Sequence, residues 1–152
     1  MLIVRGSNVF SGYLNYDGAS PFVNFEGKSW YRTGDLVALD NDGFMIFKGR
    51  LKRFVKIGGE MVSLPAIEEI LVDHYRSEAQ DGPVLAVESV GDELHPELTL
   101  FSTLALKREE VNQVIRDAGL SPINTIRNIV AVKEIPILGT GKVDYRTLKT
   151  ML

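Results

Sequence analysis

The sequence predicts an α+β fold, a small β-sheet with helices packed on it and a two-stranded hairpin beside it. Three observations carry that prediction. Apolar residues recur at helical spacing in "SLPAIEEILVDHY" and "LKREEVNQVIRDAG". Short apolar runs of strand length lie between and after them: "PVLAVESV", "LTLFSTLAL" and "NIVAVKEI". Gly58-Gly59 separates "RFVKI" from "EMVSL", and a glycine pair is what a tight primed turn accepts most easily.

In chain order, "MLIVRG" is a short apolar run ended by glycine. Residues 10–29, "FSGYLNYDGASPFVNFEGKS", are rich in Gly, Asn, Asp, Ser and Pro and predict mostly loop. "LVALD" and "FMIFKGR" flank "NDG", a strong hairpin signal. The Gly58-Gly59 hairpin follows. In the next stretch Ile67, Ile70 and Leu71 share a helical face, Pro65 suits a first helical turn, and Glu68 and Glu69 come early. Two strands then enclose an acidic turn, "GDELHPE". Val111, Val114, Ile115 and Ala118 mark a second helix, with Gly119 as its C′ residue. "NIVAVKEI" reads as a buried strand and "PILGTG" as a loop. Asp144 caps a last short helix containing Tyr145, Leu148 and Met151. Residues 1–49 look different: many loops, several strands and few apolar residues for a core, as in a domain whose remainder lies elsewhere.

Bulk properties narrow the classes. The chain has 152 residues, 45% hydrophobic and 24% charged, an ordinary globular balance. A net charge of −3 argues against a general nucleic-acid binder. With no cysteine there is no disulfide or thiolate chemistry, which fits a reducing compartment. The opening is too short to read as a signal peptide or a membrane span, and no other apolar run exceeds strand length. His74 and His95, the only histidines, lack ligand-like spacing, so no zinc site is expected; His74 falls near a helix C-terminus, where positive charge is favourable. No "GxSxG" elbow is present.

Three groups of residues could carry chemistry. In "GTGK", Lys142 follows two glycines, but Pro136 stands where a Walker A loop needs glycine, and Val143 where it needs Ser or Thr. As a self-contained phosphate loop the stretch fails; as a solvated lysine on a flexible loop it is ordinary. Lys48, Arg50, Lys52, Arg53 and Lys56 form a basic cluster. On a strand, Lys52 and Lys56 would point one way with Phe54, and Arg53 the other way with Val55. That is either a solvated face or a seat for a phosphate or carboxylate. In "YRTGDL", Asp35 lies between Gly34 and a strand. It is either a turn aspartate bonding its own backbone or a carboxylate that accepts both hydroxyls of a ribose.

In order, "YRTGDL", "GRLKRFVKIGGEMVSLPAIEE" and "GTGK" resemble the C-terminal part of the adenylate-forming (AMP-binding) enzymes: acyl-CoA synthetases, luciferases and peptide-synthetase adenylation domains. "LIVRGSNVFSGYLN" is similar to the segment that precedes "TGD" in that family, so the resemblance spans almost the whole chain. "KIGGEMVSL" and "PILGTGKVDYRTLK" look most like the acyl-ACP synthetases, including the bifunctional acyl-ACP synthetase/2-acylglycerophosphoethanolamine acyltransferase.

The resemblance implies a fold and a division of labour. Residues 50–152 would be the family's mobile C-terminal domain, a small mixed sheet packed with helices plus a two-stranded hairpin. Residues 1–49 would be a β-rich remnant of the large adenylation domain. Asp35 and Arg50 would hold the ribose hydroxyls, Lys52 would be the hinge, and Lys56 would serve the second half-reaction. Gly59 would let the pantetheine arm pass close to the backbone. Lys142 would be the adenylation lysine, reaching the carboxylate and the α-phosphate. Removing a donor that stabilises developing phosphate charge costs on the order of 10²-fold or more.

The implied enzyme is a ligase that joins a fatty acid to AMP from ATP with Mg2+, then passes the acyl group to the thiol of acyl carrier protein; bifunctional members pass it onward to a lysophospholipid. The implied location is cytoplasmic, at the cytoplasmic face of the inner membrane for the full-length bifunctional enzyme. ATP and its metal would not be held by this fragment alone, and the fragment is expected to be inactive. The alternatives are an acyl-CoA ligase fragment using coenzyme A, and a non-enzymatic module that docks a carrier protein. Two departures stand out: Thr140 replaces the family's usual serine, and Arg146 lies one place later than usual, so Arg146 carries no assigned role. The family's Ser/Thr/Gly-rich phosphate loop, adenine site and acyl pocket have no counterpart in this sequence.

Overall fold

Among the residues that the computed structural model describes (1–76, 82–92 and 95–152), every buried apolar side chain lies at or after Val62. The chain folds as two units, Met1–Arg53 and Phe54–Leu152, and only the second encloses a core. The fold is α+β, with small sheets and few helices.

The second unit is built on a three-stranded mixed sheet. Strand β8 (Leu85–Val90) pairs antiparallel with β9 (Glu97–Ser102), and β9 pairs in parallel with β10 (Asn128–Ala131). A parallel neighbour needs a crossover, and helix α2 (Arg108–Asp117) supplies it. Both faces of the sheet are covered, which explains why β8 and β9 read as nearly unbroken apolar runs. Leu85, Val87, Leu98 and Leu100 join Ile67 and Leu71 of helix α1 (Leu64–Tyr75) and Val111 and Ile115 of α2 in the main core. On the opposite face Ala86 and Phe101 pack with Ile135 and with Leu148 of helix α3 (Tyr145–Lys149).

The starts of α1 and α3 follow their sequence signals, but α3 ends at Lys149, short of the Met151 expected in it. Ser63 caps α1, its Oγ accepting from the Ala66 amide at 3.3 Å, with Pro65 in the first turn. Asp144 caps α3, its Oδ1 accepting from the Arg146 and Thr147 amides. The hairpin of β6 (Phe54–Ile57) and β7 (Glu60–Ser63) turns at Gly58 and Gly59, with φ of 57° and 91°; both residues need the left-handed region. Its Val55, Ile57 and Val62 face the main core. Of the expected acidic turn, Glu93 and Leu94 lie outside the described residues.

The first unit holds two small sheets. Strands β1 (Ile3–Val4), β3 (Lys28–Arg32) and β2 (Phe22–Phe25) pair antiparallel in that order. Residues 10–21 and the turn at 26–27 are loop, as expected for most of 10–29, but residues 22–25 and 28–29 are strand. "FVNF" and "KSWYR" form a hairpin because their aromatic and β-branched residues pair across the strands. Val23 stands opposite Trp30, and the Phe22 and Tyr31 rings lie 5.9 Å apart. Strands β4 (Asp35–Leu39) and β5 (Met45–Arg50) form the expected hairpin, and Asp40 Oδ1 organises its turn by accepting from the Asp42 and Phe44 amides. This ribbon leaves Leu39, Phe44, Met45, Ile46 and Phe47 exposed, Leu39 and Phe44 by 70% or more.

A second correction concerns residues 51–53. Leu51–Arg53 form a 3-10 turn, so the strand alternation expected across the basic cluster begins only at Phe54. Lys52 and Arg53 are turn residues, and Lys56 alone of the three follows strand geometry.

Candidate nucleotide and acyl-transfer residues

Asp35 and Arg50 are brought together. They form the first cross-strand pair of β4 and β5, and Arg50 Nε lies 3.1 Å from Asp35 Oδ1. That contact lacks hydrogen-bond geometry, so the shielded Oδ1 accepts no hydrogen bond. The backbone around Asp35 is pinned from three sides. Its amide donates to Thr33 Oγ1 at 3.0 Å, its carbonyl accepts from Leu2 N at 2.8 Å, and Leu51 N donates to Gly34 O at 2.7 Å. Asp35 is thus a fixed carboxylate with unused acceptor capacity beside an exposed guanidinium.

An open cleft of about 380 Å³ in the same unit is lined by Tyr13, Tyr31, Thr33, Arg50 and Lys52, among others. Aromatic faces beside two cations suit a flat, anionic ligand. The Tyr13 hydroxyl stands 3.4 Å from that of Tyr31. This hydrogen bond, with some burial, pushes Tyr13 above the ordinary phenol range, while Lys52 and Arg50 pull the other way. Tyr13 therefore remains a neutral hydroxyl at physiological pH. The sequence reasoning missed both tyrosines. The signal available to it was their abundance near "YRTGDL".

In the second unit, Lys56 lies on β6 opposite Met61, on the face of the hairpin turned away from the core, and is exposed. Gly59 is at the tip of the same hairpin, where a Cβ would meet no atom within 4 Å. Backbone here is open to close approach by a ligand.

Lys142 stands on a separate loop, which is more ordered than its composition suggests. Ile137 and Val143 form an antiparallel bridge. Leu138 N donates to Lys142 O at 2.7 Å, Gly141 N to Leu138 O at 2.8 Å, and Asp144 N to Pro136 O at 2.8 Å. Gly141, with φ of 79°, permits this tight reversal. The result is a miniature hairpin with the exposed Lys142 side chain near its tip.

Two further residues, Glu68 and Tyr145, brace that loop. Glu68 Oε1 accepts from the Tyr145 hydroxyl at 2.6 Å and Oε2 from the Val87 amide at 2.8 Å. The sequence carried a partial signal: Glu68 is four residues after Leu64 and three before Leu71, beside the buried face of α1, where a carboxylate needs partners. Among the described residues no group of three or more His, Cys, Asp or Glu could hold a metal ion. No helix among them is long and apolar enough to cross a membrane.

No family model matches the chain. Over 99% of its length the chain is 29% identical to enterobactin synthase component E of Escherichia coli (strain K12), and it spans 28% of that protein. It is 30% identical to 4-coumarate--CoA ligase-like 6 of Arabidopsis thaliana, again over 99% of its length but only 26% of the relative's. In fold it is similar to ATP-bound MatB from Rhodopseudomonas palustris, with a TM-score of 0.73 and 24% identity, over 98% of this chain and 29% of that one. The relatives and structural neighbours are adenylate-forming ligases: CoA and aryl-acid ligases and peptide-synthetase adenylation domains. The chain spans about a quarter of the length of the first relatives it matches.

Proposed function

We propose that this chain is the C-terminal part of an adenylate-forming ligase, one that activates a carboxylic acid as an acyl-adenylate and passes the acyl group to a phosphopantetheine thiol. The observation that carries the proposal is the Asp35–Arg50 pair. It sets a carboxylate on pinned backbone next to an exposed cation, a combination suited to the vicinal hydroxyls of a ribose. The likeness to ligases over almost the whole chain supports the same role.

In the first half-reaction the acid's carboxylate attacks the α-phosphorus of ATP and pyrophosphate leaves. Two anions approach and charge builds on phosphate oxygens. Lys142, at the tip of a braced loop, supplies the ammonium that offsets this charge. Magnesium accompanies the phosphates of ATP and is assigned no ligand in this chain. In the second half-reaction the thiol attacks the acyl carbonyl and AMP departs, with Lys56 and the open backbone at Gly59 facing the incoming arm. Lys52 is the hinge. The boundary between the two folded units at Arg53 and Phe54, one residue beyond it, supports that role.

Residues 1–49 are assigned to the large domain, whose remainder would cover the apolar ribbon of β4 and β5. A two-stranded ribbon exposing Leu39, Phe44, Met45 and Phe47 is typical of an incomplete domain. On the stretches "KIGGEMVSL" and "PILGTGKVDYRTLK", the substrate is a fatty acid and the acceptor is acyl carrier protein, with onward transfer to a lysophospholipid and a cytoplasmic setting. Coenzyme A as acceptor is the second reading, favoured by the CoA ligases among the relatives. Turnover of the full-length enzyme with each acceptor separates them.

The test of the core proposal is Lys142→Ala in the full-length enzyme. Adenylation should fall by about 10²-fold or more, while thioester formation from supplied acyl-AMP persists. Equal loss of both steps would count against the assignment.

A further inference from the structure

Helix α1 lies on one face of the sheet and α3 on the other, and one side chain joins them around the sheet's edge. Strand β8 is an edge strand. Its outward Val87 amide donates to Glu68 Oε2 at 2.8 Å, and Glu68 Oε1 accepts the Tyr145 hydroxyl at 2.6 Å. The partners are 77 residues apart in sequence. Tyr145 is the first residue of α3 and follows Lys142 by three positions, with Val143 and Tyr145 packed on the second core cluster. At the far end of α3, Lys149 Nζ lies 3.4 Å from Glu88 Oε1, whose side chain is only 6% exposed. Two carboxylates from α1 and β8 thus hold the base on which the Lys142 hairpin stands.

We infer that Glu68 and Tyr145 form a clasp that positions Lys142 for adenylation. They touch no reacting atom in the proposed chemistry. Their role is to fix the root of the loop, so that the ammonium arrives where phosphate charge develops. A carboxylate accepting from a phenol and an amide is well suited to this. It is a charge-assisted acceptor with two separate oxygens, each committed to a different element. A loop rooted this way can travel with its domain without drifting relative to it. The inference rests on the proposed role of Lys142.

The experiment compares Tyr145→Phe, Glu68→Gln, their double variant and Lys142→Ala in the full-length enzyme, measuring each half-reaction separately. Tyr145→Phe removes one oxygen and keeps the packed ring. It should lower kcat for adenylation by about tenfold, within the range that small misplacements of a catalytic group produce. KM for ATP and the rate of thioester formation from supplied acyl-AMP should stay unchanged. Glu68→Gln leaves one acceptor oxygen for two donors, so the double variant should be no slower than the slower single variant.

An unchanged adenylation rate in Tyr145→Phe, with Lys142→Ala inactive, overturns the clasp alone. Equal slowing of both half-reactions in Tyr145→Phe also overturns it, since that is the mark of general loosening. Multiplying losses in the double variant would show two independent effects and likewise sink it. Full adenylation in Lys142→Ala would remove the proposed function and the clasp together.

Discussion

Asp35 and Arg50 form the first rung of the β4–β5 ribbon, 3.1 Å apart, with Arg50 67% exposed and Asp35 21% exposed at the side chain. Function and stability should therefore separate at this pair. An ion pair so open to solvent contributes at most about 1 kcal/mol. Asp35→Asn should leave the melting temperature almost unchanged. In the full-length enzyme it should raise KM for ATP by about tenfold or more, the loss expected for hydrogen bonds to a charged group. A variant that melts lower but keeps its KM for ATP would contradict the assignment.

The Asp144 cap predicts a pH dependence. Hydrogen bonds from the Thr147 hydroxyl and amide, and from the Arg146 amide, hold the Asp144 carboxyl below the usual carboxylate range against a small opposing effect of burial. A depressed folded-state pKa means that the folded chain binds fewer protons than the unfolded one. The stabilisation is complete above the ordinary Asp value of about 4 and is lost as pH falls through the folded pKa. Asp144→Asn should melt lower than wild type at pH 7, and the difference should shrink below about pH 4. Melting curves between pH 7 and 3 give the answer.

Gly59 isolates backbone strain from steric clash. Its φ is 91° and a Cβ there would meet nothing within 4 Å. Gly59→Ala should destabilise the second unit by about 1–2 kcal/mol through backbone conformation alone. At Gly58 a Cβ would come within 3.3 Å of Ile123 Cδ1, so Gly58→Ala should cost at least as much. Urea unfolding of both variants measures the difference. Equal stability to wild type would show that the turn does not need its left-handed residues.

Hydrogen exchange should expose the uneven distribution of the core. Amides of β8 and β9 flanked by Leu85, Val87, Leu98 and Leu100 should exchange only through global opening of their unit. Those of β4 and β5 should exchange orders of magnitude faster. Uniform protection across both units would contradict the assignment of a core to the second alone.

The chain on its own, mixed with a fatty acid, ATP and carrier protein, should form no acyl product. Robust product formation would refute its assignment as part of a larger ligase.

Much of the second unit is legible in the sequence because its signals are local. Gly58-Gly59 specifies a primed turn, Ser63 and Pro65 mark the start of α1, and Asp144 caps α3. What escapes is set by pairing at a distance. Strands β2 and β3 hide among turn residues, and only the match of Phe22 with Tyr31 and Val23 with Trp30 makes them strands. The run Lys52-Arg53-Phe54-Val55-Lys56 reads as continuous strand, yet Leu51–Arg53 tighten into a 3-10 turn. Asp35 meets Arg50 only because the β4–β5 register shifts between Leu36 and Val37, which no local pattern reveals. Glu68 and Tyr145 are far apart in sequence, and each alone reads as an ordinary helix residue.

The Glu68 carboxylate on the Val87 amide has one more consequence. An edge strand invites any passing extended chain to add itself by backbone hydrogen bonding. With that donor already claimed by a negative charge, an intruding strand would face both a lost rung and an anion in its path. The acid that steadies the loop thus also satisfies a backbone donor on the unpaired side of β8.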